Sequence, residues 1–181
     1  MIKSTQWERV MKKELKDQID QTIKKYGEDI LKSPNFRASN KNIQHSDVSV
    51  MKHSLKVART SMWLNKKLHA NAKEKDLVRG ALLHDYFLYD WHDSDHRSIK
   101  NLHGFYHPGV ALKNAAKEFT LSNKEKNIIY THMWPLTLTH MPTCREAWLV
   151  TAADKYISTV ESLRLHKIRK LIPIRVREKD R

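Results

Sequence analysis

At 181 residues, 40% apolar and 30% charged, the chain can build one sizeable core, and no apolar run approaches the ~20 residues of a membrane span. The opening MIKSTQWERVMKKEL lacks the apolar stretch of a secretory signal, and a lone cysteine, Cys144, excludes an intrachain disulfide framework, so a cytoplasmic setting is expected. Lys and Arg outnumber Asp and Glu by 34 to 20, and a net charge of +14 suits an anionic partner: nucleic acid, nucleotide, phosphate ester or anionic surface.

The periodicity is helical almost throughout. Trp7, Met11, Leu15, Ile19, Ile23, Tyr26 and Ile30 step by four or three, which predicts a long amphipathic first helix ending before Ser33-Pro34. A second helix is expected over about 48–68. A third is expected from near Asn71, with Glu74 completing a capping box, to about Tyr86. The stretch to Phe105 has no period and reads as a loop. Pro108 suits the first turn of a fourth helix, over about 108–119. Ser122 with Glu125 opens a fifth, and Thr143 with Glu146 a sixth that runs to about Leu165. The ending LIPIRVREKDR reads as an extended segment or a basic tail. No strand pair is expected elsewhere. The fold class is all-α, a single-domain helical bundle: a packing helix over 1–40, a core over 41–166 and a tail over 167–181.

Three helices carry a polar group where an apolar one belongs. On the third, Leu77, Val78, Ala81 and Leu82 form one arc, Asp85 falls inside it, and His84 sits at its edge. A carboxylate facing a core costs several kcal/mol unless paired or coordinated. An arginine could answer it, but the adjacent imidazole favours a metal. On the second helix, His53 lies beside Val50, Val57 and Leu64, away from the stripe of Lys52, Lys56, Arg59 and Lys66. On the sixth, Asp154 shares a face with Ala147, Thr151 and Ser158, small residues that permit close approach. His107 precedes Pro108, and His132 follows Ile128 and Ile129 by one turn. Alone, His53 would read as a hydrogen-bonded core residue. Together they offer neutral imidazole and carboxylate, ligands suited to zinc, iron or manganese, with magnesium also admitted. Four His and two Asp exceed the needs of one ion with open positions and suit two divalent metal ions bridged by a carboxylate, with Asp85 as the bridge.

The order His53, His84-Asp85, His107, His132, Asp154 resembles the HD-domain metal-dependent phosphohydrolase superfamily. So do the phrases VMKHSLKVA, RGALLHD, FYHPGVALKNA, EKNIIYTHMWP and LVTAADKY, spread from Gln44 to Glu161 over about two thirds of the chain. The resemblance implies a helical bundle with a metal centre on its inner face. Position by position, it implies that His53, His84, Asp85 and Asp154 hold a first metal and that Asp85, His107 and His132 hold a second. It also implies hydrolysis of a phosphate ester or anhydride, in a nucleotide-like or other small phosphorylated substrate. The sequence lacks the Gly-Lys, His-His and GYP features of members that cleave cyclic dinucleotides, and HDYFLY lacks the Glu-Asp of alarmone hydrolases. Some members with four His and two Asp are di-iron oxygenases, and that class stays open. So does a basic nucleic-acid-binding helical module with a structural metal.

Around the ligands, Asp85, Lys155 and His103 are the candidate catalytic residues, and His45, Arg79, Lys155 and Trp134 the candidate substrate contacts. Lys155 follows Asp154 but points about 100° away from it on a helix. Asp90, His92, Asp93, Asp95 and His96 form a loop cluster that reads as a gate, a weak third ion site or a solvated loop. Tyr86 and Trp134 could stack on a base or simply pack. Cys144 has no accompanying base and reads as structural.

Overall fold

The computed structural model describes residues 6–45, 48–88 and 103–171, with side chains over 13–42, 48–88 and 105–163. Helices dominate: α1 (Gln6–Lys32), α2 (Pro34–Ala38), α3 (Val50–Lys67), α4 (Glu74–Leu83), α5 (His103–Glu118), α6 (Asn123–Thr131) and α7 (Arg145–Leu171). The protein is all-α. The exception is a two-stranded antiparallel hairpin, β1 (Ile43–His45) with β2 (Val48–Ser49), where Ile43 pairs with Ser49. The sequence pattern did not anticipate it, because strands this short show no alternation. No helix among the described residues is long and apolar enough to cross a membrane.

Serine side chains cap three of the helix starts. Ser33 caps α2 by accepting from Phe36 N, with Pro34 beside it at the first helical position. Ser49 caps α3 in the same way from Lys52 N, which moves the start of that helix from 48 to Val50. Ser122 and Glu125 form the expected capping box of α6.

Further boundaries differ from the sequence reading. Asn71 does not open α4. It sits at φ 51° beside His69 at φ 48°, a left-handed double turn, and Asn65 clamps the next residue through Ala72 N and O. The helix therefore starts at Glu74. Pro108 lies inside α5 rather than at its start, so the helix begins at His103 and gives up one backbone bond. Glu146 does not complete a box with Thr143, because its carboxylate accepts from Lys73 N and Lys124 Nζ at 2.8 and 2.7 Å. The helix α7 starts at Arg145 and extends to Leu171.

α4 is the central element. Every residue from Asp76 to Leu83 is buried, as expected of a short helix enclosed on all sides. It packs against α1, α3, α5, α6 and α7. α1 joins the same core through Ile19, Ile23 and Ile30. α6 comes close to α4 at Gly80, where an added Cβ would stand 2.9 Å from Ile128 Cβ. Only the missing side chain lets α4 and α6 meet, and both helices end at the site.

Candidate metal centre

The stretch that ends α4 explains its own polarity. His84 is the C-cap, and Asp85 occupies the following turn, fully buried. Asn114 of α5 donates to the carbonyls of Tyr86 and Phe87 at 3.2 and 3.0 Å, which fixes that turn. His132 is likewise the C-cap of α6. Both imidazoles fold back on their own helix: His84 Nδ1 donates to the Ala81 carbonyl and His132 Nδ1 to the Ile129 carbonyl, each at 2.8 Å. Last-turn carbonyls need such donors. A carbonyl only accepts, so the proton is on Nδ1, and in the neutral ring Nε2 presents a lone pair to the interior.

Six side chains converge there. His53, His84 and Asp154 form one buried group and Asp85, His107 and His132 another, each with its ligand atoms within 4.8 Å of one another. Asp85 stands between them. Its Oδ2 is 3.7 Å from His53 Nε2 and 3.2 Å from His84 Nε2, while its Oδ1 is 3.2 Å from His107 Nε2 and 3.4 Å from His132 Nε2. One carboxylate oxygen faces each group. Asp154 Oδ1 lies 3.2 Å from His53 Nε2 and accepts from Ser158 Oγ at 3.0 Å.

The electrostatics fit a cation. Burial raises the Asp85 and Asp154 pKa values, but the surrounding imidazoles, joined by Lys155 for Asp154, reverse this and hold both well below the usual carboxylate range. Burial also lowers the His53 pKa, yet its bonds to Asp154 and Glu161 and the charge of Asp85 carry it up to about 10. At His132 burial wins, helped by His107 and opposed by Asp85, and the pKa falls to about 4. The negative ends of two helix dipoles, those of α4 and α6, point at the same spot. His84 Nε2 is buried and makes no hydrogen bond, although Asp85 Oδ2 is 3.2 Å away. His107 Nε2 and His132 Nε2 approach to 2.8 Å. Imidazole nitrogens and carboxylate oxygens turned inward are the donor chemistry of a divalent-metal site, and these residues fit one; at His53 a bound ion would displace the proton that its raised pKa keeps on Nε2.

Residues 50–159, more than half of the chain, match the family model of the HD domain. The chain belongs to the HD domain family. Searches of curated proteins and of solved structures each return no match.

In this HD domain the remaining sequence-derived candidates are distributed unevenly. Lys155 turns back toward the centre despite its position on the helical wheel. Its Nζ lies 2.8 Å from Asp154 Oδ2 and 3.5 Å from Met133 Sδ, because the long side chain spans the angle that its Cα imposes. Trp134 packs edge-to-face on Trp148 at 4.9 Å. Arg79 requires a correction. Its buried guanidinium is bound by both oxygens of Asp29, at 2.6 and 2.8 Å, and by Glu125 Oε1 at 3.1 Å. It lines a cleft of about 790 Å³ with Lys73, Asp76 and Glu118 that none of the six converging residues lines. Arg79 thus anchors α4 to α1 and α6. Tyr86 is buried too, with its hydroxyl donating to Glu118 at 2.6 Å, so it packs rather than stacks on a ligand. Cys144 is half-buried against Asn127, and burial pushes its thiol up. The side chains of His45 and His103, the cluster Asp90, His92, Asp93, Asp95 and His96, and residues 172–181 lie outside the described residues.

Sequence reasoning missed Glu161. This buried carboxylate of α7 accepts from His53 Nδ1 at 3.0 Å and from Lys56 Nζ at 2.8 Å. The signal was present, since Glu161 stands two helical turns beyond Asp154, on the same face.

Proposed function

We propose that this HD domain is a metal-dependent phosphohydrolase that cleaves a phosphate ester or anhydride in a nucleotide-like or other small phosphorylated substrate. The observation that carries the reading is the Asp85 carboxylate, set between two His/Asp groups with one oxygen toward each. His53, His84 and Asp154 would hold one divalent ion, His107 and His132 a second, and Asp85 would touch both. Iron, manganese and zinc suit these donors, and magnesium is admitted. Such ions, once bound, supply Lewis acidity and lower the pKa of a water to the neutral range. The chain supplies the rest. The Nδ1 hydrogen bonds of His53, His84 and His132 keep each Nε2 aimed inward. Lys155, partly exposed beside Asp154, offers an ammonium to a phosphoryl oxygen. The net charge of +14 draws in an anion.

The test uses protein loaded with Mn²⁺ under strictly anaerobic conditions and a panel of phosphate esters and nucleotides. Release of phosphate or nucleoside monophosphate is expected from at least one, and Asp85→Ala should abolish it. Turnover that requires iron and stops without O₂ would replace the hydrolase reading with an oxygenase.

A further inference from the structure

The imidazoles whose Nδ1 partner is defined fall into two kinds. His84 and His132 donate to backbone carbonyls three residues earlier on their own helices. His53 instead donates to a carboxylate 108 residues away in sequence, Glu161 of α7. Glu161 is 6% exposed, and a carboxylate that deep is costly unless it is matched. It is matched on both oxygens: Oε2 by His53 Nδ1 and Oε1 by Lys56 Nζ, whose side chain is 39% exposed. The arrangement ties α3 to α7 across the ring of one residue. On its other edge, His53 Nε2 faces Asp154 Oδ1 at 3.2 Å and Asp85 Oδ2 at 3.7 Å.

We infer that Glu161 is a positioning residue for the metal centre: it fixes the ring plane of His53 and holds a proton on Nδ1, so that Nε2 is the nitrogen turned toward an ion. The inference rests on the reading of the six side chains as a metal site. The chemistry follows from the acceptor. An ionised carboxylate can only accept, so Nδ1 must donate to it. A ring that donates to an anion is a stronger base at its other nitrogen than one that donates to a carbonyl. Glu161 thus gives the group of His53, His84 and Asp154 a stiffer and more basic ligand than a backbone partner would. Lys56 holds the outer oxygen of Glu161 and keeps the inner one directed at the ring. Nothing in the arrangement places Glu161 in contact with substrate.

The experiment is a Zn²⁺ titration of the full chain against a competing chelator, with NMR of the His53 Nδ1 proton in the zinc-loaded protein. Glu161→Ala should weaken binding of the affected ion by about 10–100-fold, the usual cost of losing such a partner. Glu161→Gln keeps a neutral acceptor and should fall between Ala and wild type. In wild type the Nδ1 proton should resonate far downfield and exchange slowly. In Glu161→Ala it should shift upfield and exchange fast, a change that loss of packing elsewhere would not produce. If Glu161→Ala does not fold, the Gln variant and the wild-type proton signal decide. Equal zinc affinity in wild type and both variants, or a wild-type Nδ1 proton without the downfield shift, overturns the role of Glu161 alone. Wild-type protein that binds no divalent ion overturns the metal centre and this role with it.

Discussion

Gly80→Ala is the substitution whose cost the structure defines best. Alanine in mid-helix should gain ~1 kcal/mol over glycine from propensity alone. Here the added methyl would stand 2.4 Å from Ile128 Cδ1, 2.8 Å from Cγ2 and 2.9 Å from Cβ. A rotamer change could move Cδ1 and Cγ2, but Cβ is fixed to the backbone of α6, so α4 and α6 must separate. Overpacking of this kind costs ~1–3 kcal/mol and sometimes more. With a fixed atom in the clash the upper part of that range applies, and a net loss of ~1–2 kcal/mol remains after the propensity gain. For a chain of this size that lowers Tm by about 2–8 °C. Thermal and urea unfolding of wild type, Gly80→Ala, Ile128→Ala and the double variant measure it. The double variant should be less destabilised than the sum of the singles, because each change relieves the other. Metal affinity should fall with Gly80→Ala, since the helices forced apart end in His84 and His132. A Gly80→Ala protein as stable as wild type, or strict additivity in the cycle, would refute the close-approach argument.

Arg79→Met should cost about 3 kcal/mol by leaving Glu125 buried without its cation, yet leave metal affinity unchanged. Lost turnover at full stability would instead return Arg79 to the substrate site. The Glu118 carboxyl is raised by burial but lowered further by hydrogen bonds from Ser33, Tyr86 and Asn35, and its net pKa lies below the ordinary 4.5. A depressed carboxyl contributes stability that is complete above the unfolded value and is lost as pH falls through the folded one. Glu118→Gln should therefore flatten the fall in stability below about pH 4.5, and identical slopes in acid unfolding would contradict this.

The candidate site was more legible in the sequence than the elements that hold it. A histidine or carboxylate on an apolar helical face carries a large burial cost, so His53, Asp85, His132 and Asp154 stood out wherever their neighbours were apolar. The adjacent His84-Asp85 pair stood out as well, although the helix was expected to run to about Tyr86 and ends at Leu83. What the sequence hid was set by tertiary contact. Glu146 looked like a capping residue because its spacing from Thr143 is right, but Lys73 and Lys124 arrive from distant segments and take its carboxylate. Arg79, beside the apolar arc of α4, looked available for a phosphate until α1 supplied Asp29. Glu161 was passed over although it shares the face of Asp154, because its partner His53 lies over 100 residues away. Pro108 misled for a local reason, since proline favours a helix start but does not require one.

The central claim is that Asp85 joins two ions. Anomalous diffraction at the metal edge, on crystals of protein loaded with Mn²⁺ or Zn²⁺, tests it most directly. Two peaks about 3.5–4 Å apart are expected, as in two-metal sites generally. One should lie against Asp85 Oδ2 among His53, His84 and Asp154, and the other against Oδ1 between His107 and His132. A single peak at saturating metal, or two peaks neither of which touches Asp85, would contradict the account.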